Sequence, residues 1–181
     1  MRITGGAWAK RRLAGPPAAS DIRPTPDALR EQAFAILAPW LDGAVFLDLF
    51  AGTGANSLEA LSRRAASVLL VERSPKAAEL IRRNFAALAV PSECWRLVAE
   101  PAERAVARLA REGVRADVAW CDPPFSAWDD GPAALALARA AGLFTSGARV
   151  VLEVPPRREV ALEGFSIVRK LRGAVLLAVT S

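Results

Sequence analysis

The chain reads as an α/β domain built on a seven-stranded, mostly parallel sheet. A carboxy-terminal antiparallel hairpin closes the sheet, and a short β-hairpin extension precedes it. Three observations predict this. Five short apolar runs alternate with helical segments, the pattern of strand–crossover–strand units and of a sheet covered on both faces. The last two runs, 165–170 and 174–179, are joined only through Arg172-Gly173, so they pair antiparallel. The first run, Arg2-Ile3-Thr4, is followed by Gly5-Gly6 and by Ala7-Trp8-Ala9-Lys10, which reads as a hairpin with a glycine turn.

The elements follow in order. Residues 1–24 stand apart as a basic arm, broken by Gly15-Pro16-Pro17, with a loop leading to Arg23-Pro24. Residues 25–181 form the main domain. Thr25 is placed to cap a helix and Pro26 suits its first position. Leu29, Ala33, Phe34, Ile36 and Leu37 make the apolar stripe, and Pro39 is expected to end it. A strand at 44–49 leads into a helix at 55–63. A strand at 67–72 leads to Ser74-Pro75, a second cap with first-turn proline, and a helix running to 88. A strand at 93–98 precedes a helix opening at Pro101. A strand at 117–121 is followed by a helix at 132–141, and a strand at 148–154 completes the parallel set. Trp40, Trp95 and Trp120 are expected in or near the core, with Trp8 and Trp128 at the rim.

Composition narrows the chemistry. A chain of 181 residues, 52% apolar, fits one domain with a full core. No apolar run reaches the roughly 18 residues that a membrane span needs. The amino terminus lacks the apolar stretch of a signal peptide. Two cysteines, Cys94 and Cys121, read as buried free thiols, and a cytoplasmic location is expected. With no histidine, His-based acid–base chemistry, Ser-His-Asp triads and His-ligated metals are excluded. Net charge is +5, and residues 1–30 hold six basic groups against two acidic. The excess is therefore an amino-terminal feature that suits a polyanion such as RNA or DNA.

Two motifs carry the chemistry. Asp48-Leu49-Phe50-Ala51-Gly52-Thr53-Gly54 ends a strand in a glycine loop that opens a helix. Glycines let a ligand approach the backbone, and the helix start supplies free N–H groups. The third glycine of a dinucleotide fingerprint is absent, because Ser57 stands there. Glu72, at the end of the next strand, is spaced to bind ribose hydroxyls. Asp122-Pro123-Pro124-Phe125 follows the strand at 117–121. A carboxylate there sits where open α/β sheets bind ligands. Two prolines hold the chain extended and leave carbonyls free. Asp122 and the Pro123 carbonyl are acceptors for an exocyclic amine, and Phe125 is a face on which a base can stack.

Together these motifs resemble a class I, Rossmann-like methyltransferase dependent on S-adenosylmethionine. The D/N-P-P-Y/F tetrad is shared by DNA adenine-N6, rRNA guanine-N2 and protein glutamine-N5 enzymes. Along nearly its whole length the chain resembles the RsmD family. The match runs through Arg2-Ile3-Thr4-Gly5-Gly6-x-Trp8, Lys10-Arg11-Arg12-Leu13 and Arg23-Pro24-Thr25-x-Asp27-x-x-Arg30-Glu31-x-x-Phe34. It continues through 48–55, 58–63, Val71-Glu72, the DPPF loop and Glu153.

The resemblance implies transfer of a methyl group to N2 of a guanine of the G966 type in 16S rRNA. The partner would be the small ribosomal subunit or its assembly intermediate, with no metal and no membrane. It implies catalytic roles for Asp122, Pro123 and Phe125. Cofactor contacts are expected from Thr25, Asp48, Phe50 and Gly52, and from Gly54, Glu72, Arg73 and Glu100. RNA contacts are expected from Arg2, Lys10, Arg11, Arg12, Arg23 and Pro124. The chain departs from the family at Glu100, where Asp is usual, at Cys121, and at Leu176 and Leu177 in the last strand. A DNA adenine-N6 methyltransferase and a non-catalytic RNA-binding assembly factor are the competing functions. The short chain leaves the first little room for a target-recognition domain. The intact motif set argues against the second.

Overall fold

A computed structural model of the chain describes residues 1–16 and 25–180. The crossover pattern folds as one sheet of seven strands: β1 (Val45–Leu49), β2 (Ser67–Val71), β3 (Trp95–Val98), β4 (Ala116–Cys121), β5 (Phe144–Glu153), β6 (Phe165–Leu171) and β7 (Ala174–Val179). Their order is β3-β2-β1-β4-β5-β7-β6. The first five run parallel, and β7 is antiparallel to both its neighbours. Helices α1 (Asp27–Leu41), α2 (Ala55–Ser62) and α3 (Pro75–Ala87) cover one face. Helices α4 (Ala102–Arg111) and α5 (Asp130–Ala140) cover the other.

Strand alternation divides the core between these faces. Phe46 and Trp120 point to the α1 side, and Leu47, Leu49 and Cys121 point to the α5 side. Phe34 of α1 stacks on both Phe46 and Trp120, with ring centroids 5.9 and 5.4 Å away. From β1 the chain winds outward to β3, then returns to β4 on the other side of β1. That reversal is the topological switch point, where a crevice opens at the strands' carboxyl ends. Leu49 and Cys121 are in register there, and the Asp122 N–H donates to the Leu49 carbonyl at 3.2 Å.

Several boundaries differ from expectation. Pro39 lies inside α1 rather than ending it. In the last turn a proline forfeits one hydrogen bond, and burial of Leu41 holds that turn in place. Thr25 does not cap α1, because its hydroxyl is spent on a distant carboxylate, described below. β5 begins at Phe144 instead of 148. The polar Thr145-Ser146-Gly147 stretch that masks its start passes a register irregularity against β4. Trp128 is buried, not at the rim, and its indole N–H donates to the Glu153 carbonyl at 2.9 Å. Trp40 is instead exposed, and the Arg149 guanidinium covers its ring at 4.5 Å.

The amino-terminal hairpin is a single antiparallel bridge, Arg2 to Arg12, closed by a 3-10 turn at Gly6–Trp8. It is docked on the body. Ile3 and Leu13 enter the core. The Thr4 N–H and hydroxyl each donate to Glu59 at 2.7 Å. Ser62 donates to the Gly5 carbonyl at 2.6 Å and accepts from the Trp8 N–H at 2.9 Å. Gly6 is required at this contact: its φ is +77°, and a Cβ there would lie 1.9 Å from the Ser62 carbonyl oxygen. Among the described residues, no helix is long and apolar enough to cross a membrane.

Candidate active site

The carboxyl ends of β1, β2, β4 and β5 open into one cleft of about 2160 Å³. Phe50, Gly52, Glu72, Arg73 and Glu100 line one part of it. Thr25, Asp122, Pro123, Pro124, Phe125 and Glu153 line another. The two motifs, over seventy positions apart in sequence, thus face a common space.

The β1 loop is shaped by left-handed backbone. Phe50, Gly52 and Gly54 have φ of +65°, +54° and +75°. A non-glycine residue in this region costs about 1–2 kcal/mol, so Phe50 stores strain in the loop. Gly54 opens α2, and a Cβ there would meet the Phe85 ring at 3.0 Å. Beneath the loop, Asp48 is fully buried. It accepts from the Ser57 hydroxyl at 2.7 Å and the Ser57 N–H at 3.2 Å. The residue that replaces the third glycine is therefore the one that pins α2 to β1. Asp48 and Gly54 shape the loop from behind and do not line the cleft. Burial pushes the Asp48 carboxyl up to about 7, against the two Ser57 hydrogen bonds.

Glu72 follows β2 and joins two loops. Its carboxylate accepts from the Gly52 N–H at 2.9 Å and the Ser74 N–H at 2.8 Å. Two further lone-pair sites remain for a ligand's hydroxyls. Arg73 is exposed beside it. Glu100 reaches the cleft and is held by Arg108 at 3.0 Å. Asn56, in the first turn of α2, is buried on the cleft wall, and its Oδ1 has no hydrogen-bond partner among the described residues. An acceptor left open in a cleft fits a ligand that carries a donor.

On the other side, Asp122 is mostly buried while Phe125 is 46% exposed. Glu153, which ends β5, lies beside Asp122. Its Oε1 accepts from the Thr25 hydroxyl at 2.6 Å and the Trp120 indole N–H at 3.1 Å. The Thr25 hydroxyl is also 3.5 Å from Asp122 Oδ2. Burial, and then the Glu153 charge, push the Asp122 carboxyl well above its ordinary value. Burial raises Glu153 as well, opposed by the donors Thr25 and Trp120. Both carboxyls thus take up a proton more readily than a free carboxyl does. From sequence Glu153 carries no assigned role. Its signal is an acid at the carboxyl end of a strand next to the one bearing Asp122.

Lys10, Arg11 and Arg12 are exposed but do not line the cleft. Arg2 is paired with Asp27 at 3.4 Å. Arg30 is fully buried and donates to the Arg2 carbonyl at 2.6 Å, so its charge is not part of any surface. Arg23 lies outside the described residues.

Comparison with known proteins agrees with this geometry. The family model described as Conserved hypothetical protein 95 matches residues 1–179. Ribosomal RNA small subunit methyltransferase D of Escherichia coli K12 is 39% identical over 125 residues, 69% of this chain and 60% of that protein. The match thus spans less than two thirds of the curated relative. The solved Thermus thermophilus protein TTHA0928 is 32% identical with a TM-score of 0.81, covering 100% of this chain and 99% of that one. SMU.776, solved in complex with SAH, is 15% identical with a TM-score of 0.68. It covers 83% of this chain and 49% of that chain and shares the fold alone.

Proposed function

The chain belongs to the family described as Conserved hypothetical protein 95, and from that premise we propose that it transfers a methyl group from S-adenosylmethionine to ribosomal RNA. The observation that carries this is the common cleft, in which the Gly52–Glu72 wall and the Asp122–Phe125 wall face one space. The name of the Escherichia coli relative supports rRNA of the small subunit as the substrate. The finer reading is the exocyclic N2 of a G966-type guanine in 16S rRNA, within the subunit or its assembly intermediate.

The residues fit the cofactor. The Glu72 carboxylate has sites left for ribose hydroxyls, and the open Asn56 Oδ1 accepts from a donor. The cofactor supplies an electrophilic methyl on a sulfonium. A base's exocyclic nitrogen is a poor nucleophile, because its lone pair is delocalised into the ring. The protein's task is to hold that amine in line with the methyl, and positioning of this kind contributes roughly 7–11 kcal/mol. Asp122 and the Pro123 carbonyl accept from the amine's two N–H bonds, and Phe125 stacks on the base. Glu153 and Thr25 keep the Asp122 carboxyl in place. With the cofactor bound, formation of the N–C bond would break the sulfonium S–C bond and release a neutral thioether, and the Asp122–Glu153 pair would be placed to take the proton that the amine gives up. Lys10, Arg11 and Arg12 hold RNA phosphates outside the cleft.

The test is methyl transfer from labelled S-adenosylmethionine to small-subunit particles and free rRNA, with the product nucleotide identified by mass spectrometry. Asp122→Ala should lower turnover about 10²–10⁴-fold, with little change in cofactor affinity. Near-normal turnover would remove Asp122 from the chemistry. A methyl found elsewhere than guanine N2 would overturn the finer assignment.

A further inference from the structure

The cleft has a basic rim far from the amino terminus. Arg157 and Arg158 follow β5, and Lys170 and Arg172 lie at the β6–β7 turn. All four are exposed, and all four line the cleft that holds Asp122 and Phe125. The body's near-neutral charge hides this grouping in the sequence, because the four cations come from two segments separated along the chain.

Three features build the rim. First, the Val154 N–H donates to the Gly173 carbonyl at 2.8 Å, which ties the loop after β5 to the hairpin turn. Pro155-Pro156 then holds the chain extended, and Arg157 takes a left-handed φ of +67°. Second, β6 carries a register shift between Ile167 and Arg169 against β7. A bulge moves later side chains to the other face. Lys170 therefore joins Ile167 on the cleft side, where the unbroken alternation would have placed Arg169. Third, Arg158 lies 5.2 Å from the Trp128 ring centroid and 3.6 Å from Asp129. That contact joins the rim to the segment following Phe125. Arg157, Lys170 and Arg172 have no ion-pair partner among the described residues.

Basic residues on an edge strand also discourage edge-to-edge pairing. That role needs charge anywhere along β6. It does not need a bulge that turns Lys170 into the cleft, nor cations on the loop after β5. The cleft as a whole is lined by both signs of charge, Glu159, Asp130, Asp122 and Glu153 among the acids; the excess is local, since residues 155–160 and 170–173 carry four cations against Glu159 alone.

We propose that Arg157, Lys170 and Arg172 hold the phosphates of single-stranded RNA beside the target nucleotide, as a surface separate from Lys10, Arg11 and Arg12. This rests on the methyltransferase reading above. Ile167, 44% exposed and lining the same cleft, offers an apolar face to a flanking base or ribose.

The experiment compares the parent with an Arg157→Ala/Lys170→Ala/Arg172→Ala variant. Binding to small-subunit particles and to free rRNA is measured over a salt series, together with S-adenosylmethionine binding by calorimetry. The log–log salt slope should fall by about 2 to 3, at roughly 0.7–0.9 per lost phosphate contact. Cofactor affinity should be unchanged. The single variant Arg172→Glu should weaken RNA binding without altering the cofactor titration, and it keeps the test decisive should the triple variant fold poorly. Equal slopes in a parent that methylates rRNA would overturn the rim and leave the methyltransferase reading intact. A parent that transfers no methyl to rRNA would overturn that reading first. Unchanged RNA slopes with lost binding to anionic vesicles would assign the rim to membranes and refute the proposal.

Discussion

Replacing Asp48 by Asn should remove a pH dependence of stability that runs opposite to the usual one. Asp48 is fully buried, and its Oδ1 has no partner among the described residues. Its carboxyl stands at about 7 in the folded protein, against 3.8 for the ordinary value. The folded state therefore binds the proton more tightly than the unfolded chain. Stability from this group is fully present below about pH 3.8 and is lost as pH rises toward about 7. At 1.36 kcal/mol per tenfold change in proton affinity, the whole effect is about 4 kcal/mol, of which about 2–3 kcal/mol falls between pH 5 and pH 8. Asparagine is nearly isosteric with the protonated acid. Its amide oxygen can take both Ser57 hydrogen bonds, and its amide nitrogen occupies the unpartnered position. The assay is urea unfolding of parent and Asp48→Asn, without cofactor, at a series of pH values. Asp122 and Glu153 are raised in the same sense and remain in both proteins, so the difference between the two reads Asp48 together with its charge coupling to these two acids. The variant should gain on the parent by about 2–3 kcal/mol from pH 5 to pH 8. A difference that stays constant within about 0.5 kcal/mol would mean that Asp48 is ionised in the folded protein at ordinary pH.

The other predictions concern binding. Glu72→Ala should weaken S-adenosylmethionine by about 1.5–3 kcal/mol, because a charged acceptor is lost and the Gly52 and Ser74 N–H groups lose their shared partner. Calorimetry showing unchanged affinity would exclude the ribose contact. Alanine at Lys10, Arg11 and Arg12 together should flatten the salt dependence of particle binding by roughly 0.7–0.9 per lost phosphate contact. Cofactor binding should be untouched, since none of the three lines the cleft. Identical slopes would make the arm's exposed charge a solvated surface.

Much of this protein is written locally in its chain. Each strand and helix announces itself through a short apolar period and its caps, as Ser74 and Pro75 do for α3. The glycine loop and the DPPF loop are contiguous motifs, so both halves of the site are legible in the chain itself. Their chemistry is not legible evenly. Asp48 reads as a ligand contact, yet only packing shows it buried behind the loop on Ser57. Thr25 reads as a helix cap, yet its hydroxyl is claimed by Glu153, 128 positions later. Trp128 reads as a rim residue, yet its indole finds the Glu153 carbonyl. Charge follows the same rule. Counting residues points to the amino terminus, where Arg30 is buried and Arg2 is paired. Exposed cations that face the cleft beside the DPPF loop come instead from the β5 loop and the β6–β7 turn, with Arg73, Lys76 and Arg83 on the cofactor side. The elements and the reacting loops follow from the chain alone, because propensity and motif are properties of neighbouring residues. Which side chains meet is set by the sheet order and by one bulge in β6, because those contacts depend on register and packing between segments far apart in the chain.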